Sequence, residues 1–144
     1  MIIIYPGQRD DICRHFCNYC SNQFNKKDKD HTAALEWFTQ NRPKLVLTDY
    51  ILDELLTLAL FRVDKKFALL VSRKVRDLFS PDINKITEQD FNEAWEVFDS
   101  YQDKDWSFTD CTSYVFIKRS GILKSFAFDP HFDQFGVVVR QPIS

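Results

Sequence analysis

The chain has 144 residues, 44% of them hydrophobic and 28% charged, with a formal net charge of −2. That length suits one domain with a real core and excludes two full ones. The balance of residues excludes a disordered chain, and the near-neutral charge excludes a global attraction to polyanions.

The opening IIIY reads as a short buried strand, broken by Pro6-Gly7. Its apolar run is far too short for a signal core or a membrane span and has no basic leader, so a cytoplasmic protein without membrane contact is expected. Asp10 or Asp11 can cap a helix running to about Phe24. Within it, CRHFCNYC holds Cys13, Cys17 and Cys20 in a spacing that resembles the cluster-binding signature of radical SAM enzymes. The chain is too short for the large partial barrel of that family. Positions 13, 17, 20 and 24 share one helical stripe, which reads as a buried face of free thiols in a reducing compartment. An iron–sulfur or zinc protein built on these cysteines is the competing reading, and it predicts colour or stoichiometric zinc.

NKKDKDH is a polar loop, after which Asp30 or Thr32 caps a helix carrying Ala33, Ala34, Trp37 and Phe38 and ending before Pro43. KLVLTD lacks polar alternation, as a strand covered on both sides does. DYILDELLTLAL continues as a helix, with Ile51, Leu55, Leu58 and Ala59 at helical spacing. A further helix spans Lys65 to Phe79, stopped by Ser80-Pro81. INKI is a candidate third strand, and Thr87 opens a helix with acids near its start. FTDCTSYVFIKRSG forms the next helix, with Gly121 as its C-terminal cap. SFAFD, PHFDQFG and VVV read as strand, short turn or helix, and strand. Strands separated by helices predict one α/β domain over residues 1–144, a three-layer parallel sheet with helices on both faces.

In such a sheet, ligands bind beyond the carboxyl ends of the strands. Asp49 and Glu54 follow the KLVL strand, Asp110 lies early in its helix, and Asp129 ends SFAF. Carboxylates gathered in one crevice raise each other's pKa unless a divalent cation neutralises them. Such an ion can activate water for attack on a phosphodiester, which points to a metal-dependent nuclease. The competing reading is that many of 21 acidic residues serve simply as helix caps.

LVLTDYILDELLTLAL and DKDWSFTDCTSYVFIKRSGILKSFAFDPHFDQFG resemble PIN-domain proteins, especially VapC-type toxin ribonucleases, with WSFTDCTS and FDPHFDQFG the most specific parts. The resemblance implies a PIN-like fold in which Glu54, Asp110 and Asp129 are catalytic and bind Mg²⁺ or Mn²⁺ to hydrolyse RNA. Thr112 matches a supporting hydroxyl, while Asp105 and Asp133 are weaker candidates that read better as surface residues. His31 and His131 read as structural neighbours of the acids. The resemblance also implies a homodimer and a cognate antitoxin protein that covers the acidic pocket.

The family places its first metal-binding aspartate at the end of the first strand, where this chain has Tyr5-Pro6-Gly7. Asp10 and Asp11 serve more naturally as caps than as its replacement. A codon frame one base later over Gly7-Gln8-Arg9 can spell Asp-Ser and begin Gly, so a frame change over about 7–24 is one account, testable by resequencing. A catalytically inactive PIN domain acting as a protein- or RNA-binding module is the alternative function. Arg62, Lys65, Lys66, Arg73, Lys74 and Arg76 form a basic stretch suited to a solvated helix face or an RNA path. Trp37, Phe38, Trp95 and Phe98 recur at helical offsets, as core or dimer contacts do.

Overall fold

The computed structural model describes residues 2–4, 40, 45–79, 83–126, 131–137 and 139–141. Five strands form one sheet: β1 (Ile2–Ile4), β2 (Leu45–Thr48), β3 (Ile83–Asn84), β4 (Lys124–Phe126) and β5 (Val139–Gln141), in the order β3-β2-β1-β4-β5. Every neighbouring pair is parallel. The register sets Ile3 of β1 opposite Val46 on one side and Ser125 on the other. From β1 the chain steps outward through β2 to β3, then returns across β1 to β4 and β5. Right-handed crossovers taken in opposite directions place helices on opposite faces, giving the expected three-layer α/β architecture. They also open a crevice between the carboxyl ends of β1 and β4, where the winding direction reverses.

The helices are α1 (Asp49–Arg62), α2 (Lys65–Phe79), α3 (Glu88–Ser100), α4 (Phe108–Ser120) and the single turn α5 (His131–Gln134). α1 starts immediately after β2 because Thr48, fully buried, accepts a hydrogen bond from the Ile51 N–H at 3.3 Å. α4 stops at Gly121, whose φ of 62° lies in the left-handed region and whose N–H donates to the Ile117 carbonyl. Gln40 is helical, in keeping with a helix that ends before Pro43. The rest of that helix, the cysteine helix and Asp10, Asp11, His31 and Asp129 lie outside the described residues.

The core joins both ends of the described chain. Leu47, Ile51, Leu55, Val71, Val75, Ile117, Ile122 and Phe132 are all less than 2% exposed, each burial contributing about 1.5–3 kcal/mol. Trp106 extends this core under the short α5: its indole N–H donates to Gln134 Oε1 at 3.2 Å, and its ring packs edge-on against Phe135 at 4.9 Å. A one-turn helix has no intrinsic stability, so these contacts fix where His131 sits. Trp95 and Phe98 are 55% and 47% exposed, which removes the core half of their expectation. No helix among the described residues is long and apolar enough to cross a membrane.

Candidate active site

Two helices begin with the same local device. At α3, Thr87 and Asp90 form a reciprocal capping box; at α4, Ser107 and Asp110 form another. In the first, Asp90 Oδ2 accepts from the Thr87 N–H at 3.0 Å and the Thr87 hydroxyl at 2.8 Å. In the second, Asp110 Oδ2 accepts from the Ser107 N–H at 2.7 Å and the Ser107 hydroxyl at 2.8 Å. Both acids are buried.

Their second oxygens separate them. Arg119, from the last turn of α4, grips Asp90 with Nε to Oδ1 at 2.6 Å and Nη2 to Oδ2 at 2.9 Å. Burial works against the Asp90 charge, but the Thr87 hydrogen bonds and Arg119 outweigh it and hold the carboxyl below its ordinary pKa. Asp90 is therefore a structural acid that ties α3 to α4. Asp110 has no such guanidinium: among the described residues its Oδ1 is buried without a hydrogen-bond partner. Among the described residues His131 stands beside it, with Nδ1 3.7 Å from Oδ2 and beyond hydrogen-bond length. An orphaned buried carboxylate oxygen costs about 1–3 kcal/mol or more. A hard divalent cation, which prefers oxygen ligands, fits that atom.

Asp110 stands at the N-terminal end of a helix that leads into β4, so it sits at the carboxyl edge of the sheet where the crevice opens. His131 reaches the same place from the far side of β4. Glu54 lies on α1, which packs against α4, and its Oε2 is buried. The structure thus brings His131 to Asp110 and places Glu54 on the adjoining helix. Among the described residues no group of three potential metal-ligating side chains is assembled. Asp129 lies outside the described residues.

Other candidates have different work. Asp49 Oδ1 accepts from the Ile86 N–H at 3.0 Å, and Lys85 Nζ lies 3.6 Å from Oδ2, so this acid fastens α1 to the exit of β3. The Thr112 hydroxyl is fully buried and donates to the Thr109 carbonyl at 2.9 Å, which stiffens the first turn of α4 beneath Asp110. Asp105 and Asp133 are exposed. Cys111, buried beside Asp110, has its thiol pushed up to about 11 by burial and by the Asp110 charge. Sequence reasoning misses Ser107 and Arg119. Ser107 is legible as the first residue of an S-x-x-D cap, whereas Arg119 carries no local signal of its partner.

No protein-family model matches the sequence. The 23S rRNA-specific endonuclease VapC20 of Mycobacterium tuberculosis is 25% identical over 118 residues, spanning 82% of this chain and 89% of the relative, in each of two strains. The crystal structure of Mycobacterium tuberculosis VapC20, a sarcin–ricin loop cleaving toxin, superposes with a TM-score of 0.73 at 21% identity, covering 96% of this chain and 97% of that one. The chain is similar to VapC20 in sequence and has its PIN-like fold.

Proposed function

We propose that the chain is a metal-dependent endoribonuclease, a single PIN-like domain acting in the cytoplasm as the toxin of a toxin–antitoxin pair. The observation that carries the reading is Asp110 Oδ1, buried and, among the described residues, unpartnered, while its twin in Asp90 is saturated. The relationship to a 23S rRNA-specific endonuclease supports RNA as the substrate. Asp110, Glu54 and Asp129 would hold Mg²⁺ or Mn²⁺. When bound, such an ion supplies a lowered water pKa and charge stabilisation at the phosphorus.

The chain's own residues do the positioning. Ser107 clamps Asp110 Oδ2, so the carboxylate cannot rotate and Oδ1 stays turned away from the cap. Trp106 and Gln134 hold α5 so that His131 borders the acid. A homodimer and a cognate antitoxin complete the proposed assembly.

The second reading, an inactive PIN domain that binds protein or RNA, is favoured by Tyr5-Pro6-Gly7 standing where the family keeps its first acid. Titration of Mg²⁺ or Mn²⁺ against a fluorogenic RNA separates the two. Cleavage that Asp110→Asn abolishes supports the nuclease, and silence at every metal concentration supports the binding module.

A further inference from the structure

Where α3 ends and α4 begins, a cavity of about 340 Å³ is lined by Phe98, Tyr101, Gln102, Lys104, Trp106 and Cys111. That volume is in the range of small-molecule sites, about 300–1,000 Å³. Cys111 is fully buried and forms its deep end. Because Cys111 directly follows Asp110, the cavity and the acid are set on neighbouring residues of one helical turn. Three of the lining side chains are aromatic, and two of these, Phe98 and Tyr101, remain 47% and 38% exposed.

The rings are held in place from behind. Tyr101 packs on Trp106 at 5.0 Å and on Tyr114 at 6.4 Å, and Trp106 is fixed in turn by Gln134 and Phe135. A platform fixed before its ligand arrives loses little freedom on binding. The chain then turns back, the Lys104 N–H donating to the Tyr101 carbonyl at 3.1 Å, which brings Lys104 to the same cavity. Its ammonium pairs with the exposed Asp103 at 3.1 Å, a contact too weak to withhold it from another anion. Gln102 donates one N–H to the Asp99 carbonyl at 3.4 Å; its amide has a second N–H and an oxygen, the complement of a base edge. Flat π faces, an amide and a cation together match a nucleobase and its attached phosphate.

We propose that this cavity takes one unpaired base of the RNA strand, stacked on Tyr101 against Trp106 with its phosphate on Lys104, so that the neighbouring phosphodiester faces Asp110. The base must leave its own stack to enter, so the ligand is a single strand or a loop and not a duplex. Stacking accepts any base, so the cavity holds the strand without reading its sequence. The strand it names rests on the ribonuclease reading above. The base-binding cavity rests on its own lining residues and needs no metal, so a metal-free binding measurement tests it separately from any cleavage assay.

The chain has three tryptophans, so the full-length Trp37→Phe/Trp95→Phe variant keeps Trp106 as its sole indole, and its fluorescence reports the cavity. Titrations in EDTA read binding alone. A single-stranded RNA tetranucleotide is expected to quench Trp106, UMP to quench it with weaker affinity, and ribose 5-phosphate to leave it unchanged. In that background Tyr101→Ala raises the tetranucleotide Kd by at least about fivefold, Lys104→Glu raises it as well, and Tyr101→Phe keeps it. Circular dichroism melting verifies that each variant folds; if Tyr101→Ala melts early, Lys104→Glu decides in its place. Absence of quenching, quenching by ribose 5-phosphate, equal affinity for UMP and the tetranucleotide, or an unchanged Kd in the deciding variant overturns the proposal. Quenching that persists in a chain without cleavage upholds the base site while the nuclease reading fails, and cleavage without quenching does the reverse.

Discussion

Substituting asparagine at Asp90 and at Asp110 perturbs two like capping boxes and tests whether the second acid, unlike the first, serves the proposed cation site. Asp90→Asn removes the charge that Arg119 grips with two bonds, at 2.6 and 2.9 Å. Breaking a fully buried pair costs about 3–5 kcal/mol. Arg119 is 46% exposed and can rehydrate, which reduces the expected loss to about 2–3 kcal/mol. For a chain of this length that is a fall in Tm of about 8–12 °C.

Asp110→Asn has opposing terms. The cap keeps an acceptor oxygen but loses charge assistance, about 1 kcal/mol. In return, a charged orphan oxygen at the Oδ1 position becomes a neutral amide group, which is cheaper to bury. The two effects cancel to within about 1 kcal/mol, so metal-free Tm shifts by no more than about 4 °C. Differential scanning calorimetry with and without Mn²⁺ gives both readouts. A ligand that binds only the folded state at 100 times its Kd adds about 2.7 kcal/mol, and this gain is expected in the wild type and in Asp90→Asn but not in Asp110→Asn. If Asp110→Asn falls as far as Asp90→Asn without metal, or is stabilised by Mn²⁺ as the wild type is, Asp110 is a second structural cap and the site argument fails.

Further outcomes follow from single residues. The Asp90 carboxyl is held below the ordinary aspartate value of 3.8, so its contribution is complete above that pH and is lost as pH falls through the lower folded value. The Tm gap between wild type and Asp90→Asn therefore narrows on acidification below about pH 4, and a gap that stays constant contradicts the ion-pair account. Cys111, with its thiol near 11, should resist iodoacetamide at about pH 8 until the protein unfolds, read by peptide mass mapping. Because its folded pKa is raised, stability declines as pH climbs above about 9, where the unfolded thiol ionises first. Gly121→Ala meets no atom within 4 Å of the new Cβ, so only the left-handed backbone resists it, at about 1–2 kcal/mol; a neutral thermal melt would refute that cap.

The elements were largely legible because their signals are local. Apolar spacing placed α1, Ser80-Pro81 bounded α2 at Lys65–Phe79, Thr87 opened α3, and Gly121 closed α4, each decided by residues a few positions apart. Strand ends were less legible: VVV predicted a strand that instead occupies Val139–Gln141, because register is set by pairing with Lys124–Phe126 and not by apolar content. Trp95 and Phe98 showed a helical period but not which side of the helix meets protein. Their neighbour Phe108 and the solvent decided that.

The candidate site divides in the same way. T-x-x-D at Thr87 and S-x-x-D at Ser107 are equivalent as sequence, and each fixes one carboxylate oxygen through contacts three residues away. The second oxygen depends on what lies across the fold. Arg119 arrives at Asp90 from 29 positions along the chain, while among the described residues no guanidinium arrives at Asp110. Local sequence thus determined two caps, and only the packing of α3 against α4 decided which of the two acids Arg119 neutralises, because a buried charge is satisfied by whatever the tertiary structure sets beside it.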